Sequence, residues 1–366
     1  MELYPLNRQF IKQDVIDTFE SVIWTERYYG DDDVTLVVPA TQEYVQMLIP
    51  GTFLAEKDSD RVMLLDTFDI KDGALKVTGS GLMPFLNNRF IRVTAAHEDQ
   101  YWTIASQTPG QILWDIIYYM CISGVYPLGV PNPAIFVIPG LTNGSIDFSG
   151  PLTTVAVPYG PVYDAMKNIA TTYQAGMKIT LGHADESGYS LPFSVYYGLD
   201  RTSTQSVNPM IRFSPEFDSL TGIEELQSMT NFSTMAFSYA PSNPDSLATV
   251  PGEDQLPGSY TGFDLRAIMT FEEDITTDQV GGNPATLVSI LNARASDALD
   301  NNKFVKSVDG EITPLSQFQY GRDYFMGDIV EMQGNSGAIQ RARITEFIRS
   351  QDNAGERSYP TVAIIQ

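Results

Sequence analysis

The sequence predicts an α+β, predominantly β protein in which an N-terminal and a C-terminal β-barrel module flank a central helix-containing α/β insert. Three observations carry this: residues 1–92 are patterned as hairpins, residues 320–366 are patterned the same way, and the strong helix-start signals fall between them. Sheets this short leave edges unpaired unless they close on themselves or are joined by another chain, so barrel closure or assembly is expected. The boundaries read as an N-terminal barrel over 1–95, a central α/β domain over 96–214, an acidic central domain over 215–305 with a mobile loop at 241–262, and a C-terminal barrel over 306–366.

In the first block, residues 19–29 and 34–38 read as strands turned back around Gly30-Asp31-Asp32-Asp33. The three acids read as a solvated turn. They lack the spaced oxygen ligands, sharp-bend glycine and distal Glu of a calcium loop. The firmest local signal is Asp72-Gly73 between residues 62–68 and 75–78, because Asp-Gly supplies the positive φ angles of a two-residue type I′ turn. Residues 81–88 predict a short helix, and residues 89–93 leave the module.

Thr108-Pro109-Gly110-Gln111 predicts a helix start, with Thr108 as N-cap, Pro109 at the first helical position and Gln111 completing a capping box. Ile112, Leu113, Ile116, Ile117 and Met120 trace its apolar face, and Gly124 ends it. Pro127, Pro131, Pro133 and Pro139 punctuate an irregular stretch. A second helix begins near Pro161 with Val162, Met166, Ile169 and Tyr173 inward and Gly176 as its C′ residue, followed by strands at 177–181 and 193–197.

Residues 215–310 carry 15 Asp or Glu against 4 Lys or Arg. Their Pro, Ser and Gly-rich stretch 241–262 is expected to be an exposed loop, either a contact with another protein or with a channel, or a plain surface excursion. Asn283-Pro284 caps a third helix with Leu287, Ile290, Leu291 and Ala298 inward, and Asp309-Gly310 is read as returning the chain to hairpins.

In the last block, residues 329–333 and 338–349 flank Gly334-Asn335-Ser336-Gly337, and residues 352–355 separate the latter run from 359–365, which predicts a three-stranded meander. Arg341, Arg343 and Arg349 share parity, so period-two geometry puts all three on one face, either as a solvated surface or against an acidic neighbour. Residues 320–366 hold 5 basic and 6 acidic side chains, a nearly neutral module inside a chain of net charge -23.

With 366 residues and 43% hydrophobic content the chain is long enough for two to four units with real cores. The charge excludes a nucleic-acid clamp, which needs Lys and Arg to release counterions. Acidity is compatible with a passage through which DNA slides without sticking, and equally with solubility alone. The single cysteine, Cys121, excludes a disulfide-stapled scaffold and reads as a buried small hydrophobe. The start lacks the features of a signal peptide and no stretch reaches the 18 apolar residues of a membrane span, so a soluble chain made in the cytoplasm is expected.

Catalytic patterns are sparse. His97 and His183 belong to no two-histidine helix motif, and His183-Ala184-Asp185-Glu186 lies in a glycine-bounded turn where polar residues are expected anyway. Cys121 falls late in an apolar helix rather than at an accessible helix start. No Gly-x-Ser-x-Gly elbow is present, Gly79-Ser80-Gly81 reads as a strand-to-helix bend, phosphate-cradling loops are absent, and no spacing singles out a carboxylate pair. No catalytic, cofactor-binding or metal residue is therefore predicted, and no cofactor. An assembly component fits better than an enzyme.

Two stretches carry a resemblance. One is Met1-Glu2-Leu3-Tyr4-Pro5-Leu6, with Phe19 through Gly30 (FESVIWTERYYG), LVVPAT at 36–41, VTGSGL at 77–82 and Arg89. The other is YGRDYFMGDIV at 320–330, with ARITEFIR at 342–349 and Asp352. In these the chain resembles the minor tail proteins of long-tailed phages of actinobacteria, which are similar to baseplate or tail-hub proteins. The resemblance implies a tail-hub-like homotrimer, a ring at the virion tail tip in which two barrels per chain give six similar surfaces facing the distal tail or tail tube protein ring. It implies a threefold cup receiving tip, spike or fibre proteins, contact with the tape measure protein, DNA passing only transiently through the channel, synthesis in the host cytoplasm and no stable membrane insertion. No appended lysin or fibre is expected beyond Gln366. The alternatives are a tail-associated cell-wall hydrolase, motivated by the many carboxylates, and a receptor-binding tail protein stacking Trp24, Trp102, Trp114 or the tyrosines on sugars, with Trp114 expected in the core.

Overall fold

The computed structural model describes residues 1–91, 101–125, 134–182, 184–185, 188–240, 247–251, 261–271, 284–313 and 317–365. Strands predominate, as the sequence predicts. In the first block they are β1 (Leu3–Leu6), β2 (Ser21–Arg27), β3 (Asp33–Pro39), β4 (Phe53–Glu56), β5 (Val62–Lys71) and β6 (Ala74–Gly81). Asp72 and Gly73 join β5 to β6 with φ of 53° and 83°, the left-handed pair the turn requires.

The two terminal blocks do not close as separate barrels. Their strands form one ten-stranded sheet in the order β1-β4-β5-β6-β3-β2, then Ile339–Asp352, Ile329–Gln333 and Arg212–Phe213, with Gly355–Ile364 on the other edge of Ile339–Asp352. Among the described residues there is no closed barrel. The join is antiparallel, from Ser21 opposite Asp352 to Arg27 opposite Glu346. Each block thereby satisfies the other's open edge, which removes the need for closure.

The expected three-stranded meander is present as Ile329–Gln333, Ile339–Asp352 and Gly355–Ile364. Its register steps from Ile344 opposite Val362 to Glu346 opposite Thr361, a bulge at Thr345. One extra residue reverses the alternation beyond it, so Arg341 and Arg343 stay on one face and Arg349 moves to the other. The single arginine face expected from parity does not form.

Two compact units are distinguished. One comprises Met1–Thr221, Glu311–Gln333 and Arg341–Gln366, the other Gly222–Gly310 and Gly334–Gln340. In the first, Leu3, Ile16, Trp24, Leu36, Leu54 and Leu75 form a core on one side of the sheet. A second core gathers Leu82, Met83, Ile112, Leu113, Ile116, Val162, Met166 and Phe193 around the helices Pro109–Ile117 and Val162–Thr172. In the second unit, Met235–Tyr239 pairs antiparallel with Leu247–Pro251 and parallel with Ala267–Phe271. The helix Pro284–Asp300 packs on these strands, with Leu291 and Ala295 buried.

Several local expectations change. The Thr108 hydroxyl accepts from the Gln111 backbone N–H at 3.4 Å, but the Gln111 side chain donates to Asp115 at 2.9 Å instead of completing the capping box. The second helix ends through Gln174, at φ of 53°, and Gly176 already begins the strand Gly176–Ile179. Gly176 is needed for another reason, since a Cβ there would sit 2.3 Å from the Tyr28 ring. Asp309 and Gly310 lie within the strand Val305–Ile312 rather than in a turn, because that strand pairs with Leu220–Ser228. The stretch 241–262 contains the strand Leu247–Pro251. Residues 241–246 and 252–260, Asn283, Pro127, Pro131 and Pro133 lie outside the described residues.

Candidate functional site

The alternation along β2 sends Val22, Trp24 and Glu26 to the same side, so an acid follows two core residues inward. Glu26 is buried, accepts from the Ser59 hydroxyl at 2.7 Å and lies 3.1 Å from the Arg349 guanidinium. Arg349 also donates to Glu56 at 2.8 Å and to the Asp58 carbonyl at 3.1 Å. Glu56, at the end of β4, is raised above the ordinary carboxylate range by burial, against the opposing pull of Arg349.

The turn after β2 is not the solvated acid cluster expected. Asp31 pairs with Lys167 at 2.7 Å and Asp33 pairs with Arg27, but Asp32 is only 4% exposed. Its carboxylate accepts from the Arg27 backbone N–H at 2.6 Å and lies 3.8 Å from Arg61, while its carbonyl accepts from the Gly81 N–H at 2.7 Å. Burial pushes Asp32 up to about 6, with Arg61 pulling the other way. Desolvation wins because the guanidinium is near without donating a close hydrogen bond.

Of these charges Glu26, Arg61 and Arg349 line a cleft of about 460 Å³ within the first unit, completed by Asp60, Lys178, Tyr196, Tyr320 and Phe325, while Glu56 and Asp32 pair with Arg349 and Arg61 without lining it. Lys178 and Asp60 pair at 2.7 Å. Burial alone would raise Asp60, but Arg61 and Lys178 outweigh it and hold its carboxyl below the usual range.

A second buried arginine ties the blocks together. Arg343 donates to the Tyr197 carbonyl at 2.6 Å, the Gly327 carbonyl at 2.8 Å and the Tyr28 hydroxyl at 3.2 Å, with its guanidinium 5.1 Å from the Tyr28 ring centre. Gly327, at φ of 90°, has no room for a side chain, since a Cβ would meet the Tyr28 ring at 2.5 Å. Arg341, on the same face, makes a half-exposed pair with Asp200 at 3.0 Å. The reading of the arginines as a solvated face therefore holds for none beyond Arg341.

The residues weighed for chemistry scatter. His97, His183 and Glu186 lie outside the described residues, while Ala184–Asp185 pairs with Gly188–Tyr189 in a minimal hairpin. Cys121 is fully buried, the small core hydrophobe expected, and burial pushes its thiol up to about 12. The Ser80 hydroxyl donates to Asp66 at 3.1 Å. Trp24 is fully buried, Trp114 packs beside Tyr118 at 5.0 Å and Trp102 meets Tyr119 edge-on at 6.0 Å, so Trp24 offers no platform for a sugar. The charge network itself was not anticipated. Its signal was the inward phase of Glu26 after Val22 and Trp24.

Residues 1–243 match the model of the family described as Siphovirus ReqiPepy6 Gp37-like protein. Among curated proteins nothing matches this sequence. Of solved structures, the 43 kDa tail protein of prophage MuSo2 from Shewanella oneidensis is similar with a TM-score of 0.54 at 12% identity, over 99% of this chain and 98% of that one. The tail protein from Neisseria meningitidis MC58 is similar with a TM-score of 0.52 at 10% identity, over 98% and 96% of the two chains. Prophage tail protein gp18 from Listeria monocytogenes EGD-e gives 0.51 at 10% identity, over 99% and 94%. The fold is that of these tail proteins.

Proposed function

The chain belongs to the Siphovirus ReqiPepy6 Gp37-like protein family, and from that premise we propose that it is a structural protein of the phage tail tip, a hub that assembles as a homotrimeric ring. The observation that carries this reading is full-length likeness to tail proteins with both terminal blocks committed to one sheet. Since the blocks differ in strand number and, among the described residues, close no barrel of their own, the ring's match to a sixfold tube rests on two unequal surfaces per chain rather than on two copies of one shape. Three chains then present six contacts to the distal tail or tail tube ring and a threefold set to the tip, spike or fibre proteins and the tape measure protein.

DNA passes through such a ring without being held, since a chain of net charge -23 repels a polyanion. The work is mechanical rather than catalytic in this reading, which the engagement of the buried charges with one another and the burial of Cys121 in the core support. Native mass spectrometry of the purified protein tests the ring, with a species of three chains expected. A chain that stays monomeric at high concentration, and is absent from the tail tip in images of purified virions, overturns the reading.

A further inference from the structure

We propose that the cleft lined by Asp60, Lys178, Glu26, Arg349, Arg61 and Phe325 is a binding site for a neutral saccharide. It contains three acids, Glu26, Asp58 and Asp60, and three bases, Arg61, Lys178 and Arg349, in a chain whose overall charge is -23. With Glu56 and Asp32 also paired to Arg349 and Arg61, every cation here is matched by a carboxylate, which gives no net attraction to a phosphate or an acidic peptide. It suits a ligand that carries dipoles instead of charge.

The pairs in the cleft are already made, Lys178 with Asp60 at 2.7 Å and Arg349 with Glu26 at 3.1 Å. A carboxylate has more lone pairs than one partner uses, and a guanidinium or ammonium has further N–H groups. A sugar hydroxyl, donor and acceptor at once, adds to such a pair without breaking it, whereas an ion must displace one partner. Arg61 supplies the second observation. It is 2% exposed and lines the cleft, and its Nε and Nη1 donate no hydrogen bond, standing 3.6 Å from the Asp60 and 3.8 Å from the Asp32 carboxylate. An uncharged oxygen acceptor complements donors whose charge those carboxylates already balance.

Phe325 supplies the apolar half of the recognition. It lines the same cleft and remains 46% exposed, an aromatic ring on which the C–H face of a pyranose can rest. A volume of about 460 Å³ lies in the range of small-molecule sites and holds about one or two sugar rings. This site does not depend on the hub reading: a ring assembles whether or not the cleft takes sugar, and a sugar site can exist on a chain that does not trimerise.

The test is titration of the purified full-length protein, by calorimetry and saturation-transfer NMR, with methyl glucoside, methyl galactoside, methyl arabinofuranoside and N-acetylglucosamine. Glucuronate and glucosamine serve as the anionic and cationic counterparts. At least one neutral sugar is expected to bind with Kd of about 1 mM, and Phe325→Ala to weaken it by about three- to tenfold. Asp60→Asn, on the rim, provides a second variant should the first fail to fold, and is expected to weaken the same sugar. Binding of none of the neutral sugars, equal or tighter binding of a charged counterpart, or unchanged binding in a folded variant overturns the proposal.

Discussion

Single buried charges set the behaviour of this protein at the residue scale. Asp32 has a folded-state pKa of about 6 against an ordinary value of 3.8, so the folded chain holds that proton more tightly than the unfolded one. Its stabilising contribution is present below about pH 4 and is lost as pH rises to about 6, by about 3 kcal/mol. Urea denaturation of wild type and Asp32→Asn at stepped pH should show the stability difference falling across that window and level above it. A difference that rises with pH would refute the assignment. Arg343 and Arg341 provide a matched contrast two residues apart. Arg343→Ala leaves the buried Gly327 carbonyl without this donor and should cost about 2–4 kcal/mol, while Arg341→Ala, which breaks a half-exposed pair, should cost about 1 kcal/mol or less. Thermal unfolding of the two variants checks this.

At the scale of elements, turns and bulges decide which side chains meet. Gly73 has φ of 83° and nothing within 4 Å of where a Cβ would stand, whereas a Cβ on Gly79 would lie 2.5 Å from the Leu64 carbonyl oxygen. Gly73→Ala should therefore cost only the conformational penalty of about 1 kcal/mol. Gly79→Ala should cost more, since backbone in the middle of the β5–β6 pair must move, and comparison of the two unfolding midpoints tests the order. The bulge at Thr345 is the other deciding feature. Parity along residues 341–349 was legible, but one inserted residue reverses it, and nothing in the local sequence marks that residue as bulged. The Gln111 side chain shows the same competition on a smaller scale, bonding one turn forward to Asp115 rather than back to the cap.

For the whole molecule, the join between β2 and Ile339–Asp352 unites residues more than 300 positions apart in one sheet. Met1 sits at this join too, with its amino group 3.2 Å from Glu356. A chain with this charge should not retain DNA, so linear duplex mixed with the protein at low salt should migrate unshifted; a salt-sensitive complex would contradict the passage role. The two blocks bracketing a helical middle were legible because hairpin pattern and helix caps are local properties, as with Asp72-Gly73 and Thr108-Pro109. Their union was not, because an open edge announces only that it needs a partner, never which one.

By itself, then, the sequence determined the strand and helix content, the turn at Asp72-Gly73, the apolar face from Ile112 to Met120 and the strong acidity, all of which follow from near-neighbour geometry or simple composition. Only the tertiary structure decided that Asp32 and Glu26 are buried, that Arg343 and Arg349 face opposite ways, and that six charged side chains converge on one cleft. These depend on which distant strand lies opposite, and the free energy that selects that strand is summed over the whole sheet.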